Sequence, residues 1–319
     1  MAVATLPTHE VSPSASVALL PTVGLRPDDE AFVAAATEVA RSFAPDLLAA
    51  LEAFAHDPGP AGALLLRHAP TGSVPATPAT PTSPTVKDLR SEQTLLAIAR
   101  TLGEPVGYLP EHGGSIVQNL VPTEADVGRQ TSTSSGVDLA FHTETAFHPH
   151  MPRYLLLLCL RGDPAAATTL ASVDDLLPGL RPATVDVLRR PLFRTAVDES
   201  FGGQPDVPYG PPRPVLGGPD EQPWLCWDEE LTRGENPEAT EALAELRTVV
   251  AQRRREIVLT DGDLLLVDNR RCVHGRRPFH ARFDGTDRWL QRTFVVESLA
   301  PSTGDRIGRI ITTSFATAA

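Results

Sequence analysis

Hydrophobic residues fall in short runs separated by turn-forming residues. The clearest are GALLLRHA (62–69), SIVQNLV (115–121), RYLLLLCL (153–160), PLFRTAV (191–197), EIVLT (256–260), DLLLVDN (263–269) and WLQRTFVVES (289–298). Runs of this length, several bounded by Gly, Pro, Asn or Asp, predict strands. Apolar residues at helical spacing predict helices over 28–41, 45–56, 89–103, 172–180, 182–190 and 236–254. Pro27 and Pro45 mark first turns, Ser172 and Thr184 are capping candidates, and Gly103 ends the third helix. The sixth runs from Glu238 to the basic cluster Arg253–Arg255, the order the helix dipole favours.

Most of the strands are not separated by crossover helices, which argues against a parallel doubly wound sheet. They predict an α+β protein: a double-stranded β-helix (jelly roll, cupin-like) core with flanking α-helices. The whole chain, 1–319, reads as one domain. Residues 71–86, rich in Pro, Thr and Ser, cannot support a packed core and are expected as a flexible loop. The polar segment 122–138 is expected as a lid beside the chemistry.

Composition narrows the partners. A net charge of −12 repels nucleic acid and anionic lipid, so neither is expected; a small anion can still be held by local arginines. No apolar run approaches the ~20 residues of a membrane span, and no basic segment precedes an apolar run at the N-terminus. Cys159, Cys226 and Cys272 are widely spaced and form no CxxC pair. They read as buried free thiols of a reducing, cytoplasmic compartment. The oligomeric state is left open.

The candidate chemistry begins at Phe141-His142-Thr143-Glu144. On an extended segment His142 and Glu144 point to one side and can serve one ion. His274 follows the apolar run 264–267 and the turn Asp268-Asn269. Two histidines and one carboxylate cap one face of an octahedral ion and leave three positions open, which suits iron(II) oxygen chemistry. The same set suits zinc with one water, so a zinc hydrolase or lyase is an alternative, as is a non-catalytic jelly-roll binding protein. Fourteen residues later Arg288 begins a segment in which Arg288, Leu290 and Arg292 share a strand face. A guanidinium fork suits a carboxylate.

Three stretches carry a resemblance: TSTSSGVDLAFHTETAFHPHMPRYLLLLCLRGD (131–163), TTLAS (168–172) and DGDLLLVDNRRCVHGRRPFHARFDGTDRWLQR (261–292). They resemble the clavaminate synthase-like branch of the iron/2-oxoglutarate dioxygenases, which includes asparagine oxygenase and the arginine β-hydroxylase of the viomycin pathway. The similarity is concentrated in 115–180 and 224–298; the N-terminal third fits loosely. The resemblance implies Fe(II) on His142, Glu144 and His274, with 2-oxoglutarate and O2 as co-substrates. It implies Arg288 and Thr169 on 2-oxoglutarate, Arg292 on an amino acid's carboxylate, Gln118 on its ammonium and Asp228 on its side chain. The expected reaction is hydroxylation of an unactivated C–H of a free polar L-amino acid (lysine, asparagine, glutamine, citrulline or arginine type) in specialised-metabolite biosynthesis. Desaturation, cyclisation or a carrier-bound substrate stays open. Glu144 favours hydroxylation over halogenation, since the related halogenases have a small residue there. Cys226, where the arginine hydroxylases have a second acid, argues against arginine.

Overall fold

The computed structural model describes residues 5–11, 24–83, 86–203 and 209–315. The first seven strands are β1 (Thr8–Glu10), β2 (Ala63–Arg67), β3 (Glu104–Tyr108), β4 (Gln118–Leu120), β5 (Leu139–His142), β6 (Tyr154–Arg161) and β7 (Thr168–Ser172). Then come β8 (Phe193–Thr195), β9 (Leu216–Gly217), β10 (Trp224–Leu225), β11 (Thr232–Gly234), β12 (Arg255–Ile257), β13 (Leu264–Asp268), β14 (Cys272–Arg276), β15 (Trp289–Val296), β16 (Arg306–Ile307) and β17 (Ile310–Ile311). The helices are α1 (Glu30–Arg41), α2 (Pro45–His56), α3 (Arg90–Leu102), α4 (Val173–Leu176), α5 (Pro182–Leu188) and α6 (Pro237–Arg253).

Nine strands form a large sheet in the order β1-β2-β13-β6-β15-β3-β17-β16, with β4 also on β15. Four form a smaller sheet, β12-β7-β14-β5. Side-chain alternation shows how the layers stack. On β6, Leu155, Leu157 and Cys159 pack with Leu265 and Val267 of β13, Leu290 and Phe294 of β15, and Leu170 and Cys272 of the small sheet. Leu156, Leu158 and Leu160 instead face α1, α2 and α3. A strand covered on both faces loses polar alternation, which is why 153–160 reads as a continuous apolar run. Ala171 and Val273 of the small sheet face outward, against α4, α5 and α6. The result is helices, large sheet, small sheet, helices: the expected jelly roll with its flanking helices.

The helices lie where the apolar spacing placed them, to within two residues, except that 172–180 divides into α4 and a 3-10 turn at 177–179. The run 115–121 yields only the three residues of β4. Residues 71–83 carry no regular structure. They are tied down at Thr77, whose N–H donates to Gly285 O (2.8 Å) and whose hydroxyl donates to Asp287 O (2.6 Å). Pro84 and Thr85 of the expected loop lie outside the described residues. Cys159, Cys226 and Cys272 are buried free thiols. Among the described residues no helix is long and apolar enough to cross a membrane.

Candidate metal centre and co-substrate pocket

The small sheet brings the histidines together by register. His274 of β14 pairs directly with His142 of β5, so both rings face the space between the sheets, 4.3 Å apart at their centroids. Glu144 lies two residues past the end of β5, in a turn where Thr145 takes φ 50°. Turn geometry rather than strand alternation therefore sets the carboxylate. Asn269, fully buried in the turn between β13 and β14, fixes that geometry. Its Oδ1 accepts from Glu144 N–H (2.7 Å), and its Nδ2 donates to Glu144 O (3.1 Å) and Pro152 O (3.0 Å). The hairpin that carries His274 thus holds the backbone of Glu144.

His142, Glu144 and His274 offer ligand atoms that all lie within 4.8 Å of one another. His142 Nδ1 is 2.9 Å from Ala140 O. A carbonyl only accepts, so this nitrogen carries the proton and Nε2 is free for a metal. His274 Nε2 faces Glu144 Oε2 at 3.4 Å. Burial, and then the nearby His142, pull the His274 imidazolium down to about 4, so the ring is neutral near pH 7. Burial pushes the Glu144 carboxyl up, but Arg292 and the two histidines outweigh it and leave it at about 2. Two imidazoles and a carboxylate whose Oε2 is buried without a hydrogen-bond donor form a donor set that fits a divalent ion.

The triad opens on a cavity of about 500 Å³ between the sheets. On β15, Arg288 (just before it), Leu290 and Arg292 point into this cavity, the shared face expected from spacing. Arg288 is buried and donates to Thr168 Oγ1 at 3.3 Å. Thr169 does not face the cavity. It pairs with Gly275, and a Cβ on that glycine would sit 3.0 Å from Thr169 Oγ1, on the outward face. Thr168, paired with Arg276, takes the inward position.

Arg292 is also buried; its Nε donates to Gln118 Oε1 at 3.0 Å and it pairs with Glu111. Gln118 therefore holds Arg292, and its buried Nε2 has no acceptor. Glu111 is a pocket residue that the sequence did not reveal. Burial raises its carboxyl, partly offset by Arg292, and its Oε2 is buried without a partner. Asp228 lines the opposite side, bridged through its backbone to His142. Its Oδ1 accepts from the N–H groups of Glu230 (2.9 Å) and Leu231 (2.8 Å). Burial raises its carboxyl, partly offset by His142 and those backbone donors. The outer wall is formed by 126–133 and by 198–201, and Arg129 pairs with Glu199 (2.8 Å) between them. No periodicity marks Glu111, Thr168, Arg276 or Asn269 as site residues; Asn269 shows only as a turn residue.

The jelly roll, the His-Glu-His centre and the buried arginines define a class: a non-haem iron(II)- and 2-oxoglutarate-dependent dioxygenase. Residues 85–294 match the family model for taurine catabolism dioxygenase TauD, TfdA family, and the chain belongs to that family. It is 41% identical to the L-asparagine oxygenase of Streptomyces coelicolor over 286 residues, 87% of this chain and 84% of the relative. It is 34% identical to the L-lysine 3-hydroxylase of Catenulispora acidiphila over 292 residues, 89% and 81% of the two chains. Asparagine oxygenase, solved in complex with Fe(II), 2S,3S-3-hydroxyasparagine and succinate, superposes with a TM-score of 0.89 at 37% identity, covering 96% of this chain and 99% of that one. The family excludes the zinc hydrolase and the non-catalytic binding protein.

Proposed function

We propose that the enzyme hydroxylates an unactivated C–H of a free L-amino acid whose side chain ends in an amide or ammonium donor. Iron(II) with 2-oxoglutarate and O2 supplies the oxidant. His142, Glu144 and His274 would hold the metal, and Arg288 with Thr168 would hold the far carboxylate of the co-substrate.

The observation that carries the amino-acid reading is the buried pair Arg292–Glu111 beside the triad. Its guanidinium suits an α-carboxylate, and Glu111 Oε2, unpartnered and buried, suits an α-ammonium. Gln118 orients the guanidinium. The cavity is also lined by Asp198, Glu199, Asp228 and Glu230. Such acids favour a donor side chain, and a half-buried Asp228 disfavours a substrate that leaves it unpaired. Similarity to an L-asparagine oxygenase and an L-lysine 3-hydroxylase supports the same substrate class. A cytoplasmic setting fits three reduced thiols.

The test is a screen of the proteinogenic amino acids with ornithine and citrulline, in the presence of Fe(II), 2-oxoglutarate and O2. Mass spectrometry should find a gain of one oxygen on an amide or amine side chain, with one succinate released per product. Succinate release that no amino acid stimulates would refute the substrate class.

A further inference from the structure

Arg276 is a buried cation outside the proposed metal, co-substrate and substrate contacts. It lies two residues past His274 on β14, so both face the cavity. Thr168 is its direct cross-strand partner, and the same Thr168 hydroxyl accepts from Arg288 at 3.3 Å. Thr168 therefore stands between two guanidiniums. Arg276 is 4% exposed and Arg288 is 7% exposed. Among the described residues, neither has a carboxylate within ion-pair distance. Asp138, the acid that acts on Arg276, is engaged by Arg277 at 2.8 Å. Asp163, which acts on Arg288, faces Arg282 at 3.6 Å.

Burying one charge without a counter-ion is costly, and burying two side by side is more so. A guanidinium keeps its charge in proteins, so the charge is present at neutral pH. Its position is built. One Nη donates to Ser134 Oγ (2.7 Å), the other to Arg277 O (2.9 Å), and the guanidinium carbon lies 5.1 Å from the Phe279 ring centroid. Ser134 is itself fully buried, and the adjacent Ser135 carbonyl accepts from Phe279 N–H (2.8 Å). These neutral partners orient the cation without neutralising it. A pair of such cations flanking one hydroxyl, in a cavity that takes a dicarboxylate, lacks only the anion.

We infer that Arg276 is a second co-substrate-binding cation, acting with Arg288 and Thr168 on the distal carboxylate of 2-oxoglutarate. The inference rests on the placement of the co-substrate proposed above. It is tested by anaerobic titration of the iron(II)-loaded full chain, following the visible charge-transfer band. 2-Oxoglutarate is compared with 2-oxobutyrate, which keeps the chelating end and lacks the distal carboxylate. In the parent, 2-oxoglutarate should bind far more tightly. In R276Q, the preference for 2-oxoglutarate over 2-oxobutyrate should shrink at least fivefold, with iron(II) affinity unchanged. A merely structural loss would weaken both ligands alike and leave that ratio intact; a ratio changed less than fivefold overturns the assignment. R276K, which keeps the charge but not the planar fork, provides the same comparison if R276Q does not fold, with the same fivefold criterion. A parent that binds neither ligand would sink the co-substrate placement itself, a different outcome from a normal parent with an unaltered R276Q.

Discussion

Replacing Asn269 with alanine removes three hydrogen bonds at once and leaves the N–H and C=O of Glu144 and the C=O of Pro152 without their partners. Each orphaned buried group costs roughly 1–3 kcal/mol. The full sum is not expected, because a second cavity of about 250 Å³, lined by Thr143, Met151, Pro152 and Asn269 itself, gives water a route to these groups. A net loss of about 3 kcal/mol follows, a large part of the ~5–15 kcal/mol that holds a typical domain together. The loss is not spread evenly. Thr145, next to the freed segment, holds φ 50°, a conformation that costs about 1 kcal/mol or more. Once the clamp is gone the turn relaxes and Glu144 leaves the triad. Urea denaturation should therefore show the ~3 kcal/mol loss, and anaerobic iron(II) titration under native conditions should show at least tenfold weaker binding, which is ~1.4 kcal/mol. Asn269→Asp should do no better, since it keeps the acceptor and replaces the donor with an oxygen aimed at two carbonyls. An Asn269→Ala variant within 1 kcal/mol of the parent and with unchanged iron affinity would refute the clamp.

Other perturbations separate the parts of the pocket. Arg288→Gln should raise the KM for 2-oxoglutarate about 100-fold, the loss of ~3 kcal/mol of charge-assisted bonding, with little change in the KM for the amino acid; equal effects on both would remove Arg288 from the co-substrate. Asp228→Asn exchanges an acceptor for a mixed group, so kcat/KM should shift by tenfold or more toward side chains that accept, measured across the same amino-acid panel. An unaltered ranking would take Asp228 out of the pocket. At the surface, Glu245 accepts from Arg181 N–H (2.8 Å), Arg181 Nε (2.7 Å) and Thr184 Oγ1 (2.6 Å). The Arg181 contacts are the main cause holding its carboxyl at about 2, below an ordinary value of 4.5. A lowered folded-state pKa gives stability that is complete above about 4.5 and fades as pH falls toward 2. Glu245→Gln should thus cost about 0.5–1 kcal/mol at pH 7 and almost nothing at pH 2. A gap between parent and variant that does not change with pH would contradict this.

Sequence alone determined the parts governed by local periodicity and by side-chain chemistry. The alternation in 288–292 put Arg288, Leu290 and Arg292 on one face, and the structure keeps them there. The helices followed from apolar spacing, and the His-x-Glu and distant His combination indicated the metal centre through the chemistry of the donors. Phase on a doubly covered strand was a different matter. Every residue of 168–172 is buried, so no polar alternation marks which threonine faces the cavity. Only the pairing with β14, Thr168 against Arg276 and Thr169 against Gly275, decided it. Glu111, Arg276 and Asn269 depend in the same way on contacts with residues far along the chain: Arg292, Ser134 and Glu144 respectively. A hydrogen bond between residues more than a hundred positions apart leaves no periodic trace in one sequence, because each partner alone looks like an ordinary loop or turn residue.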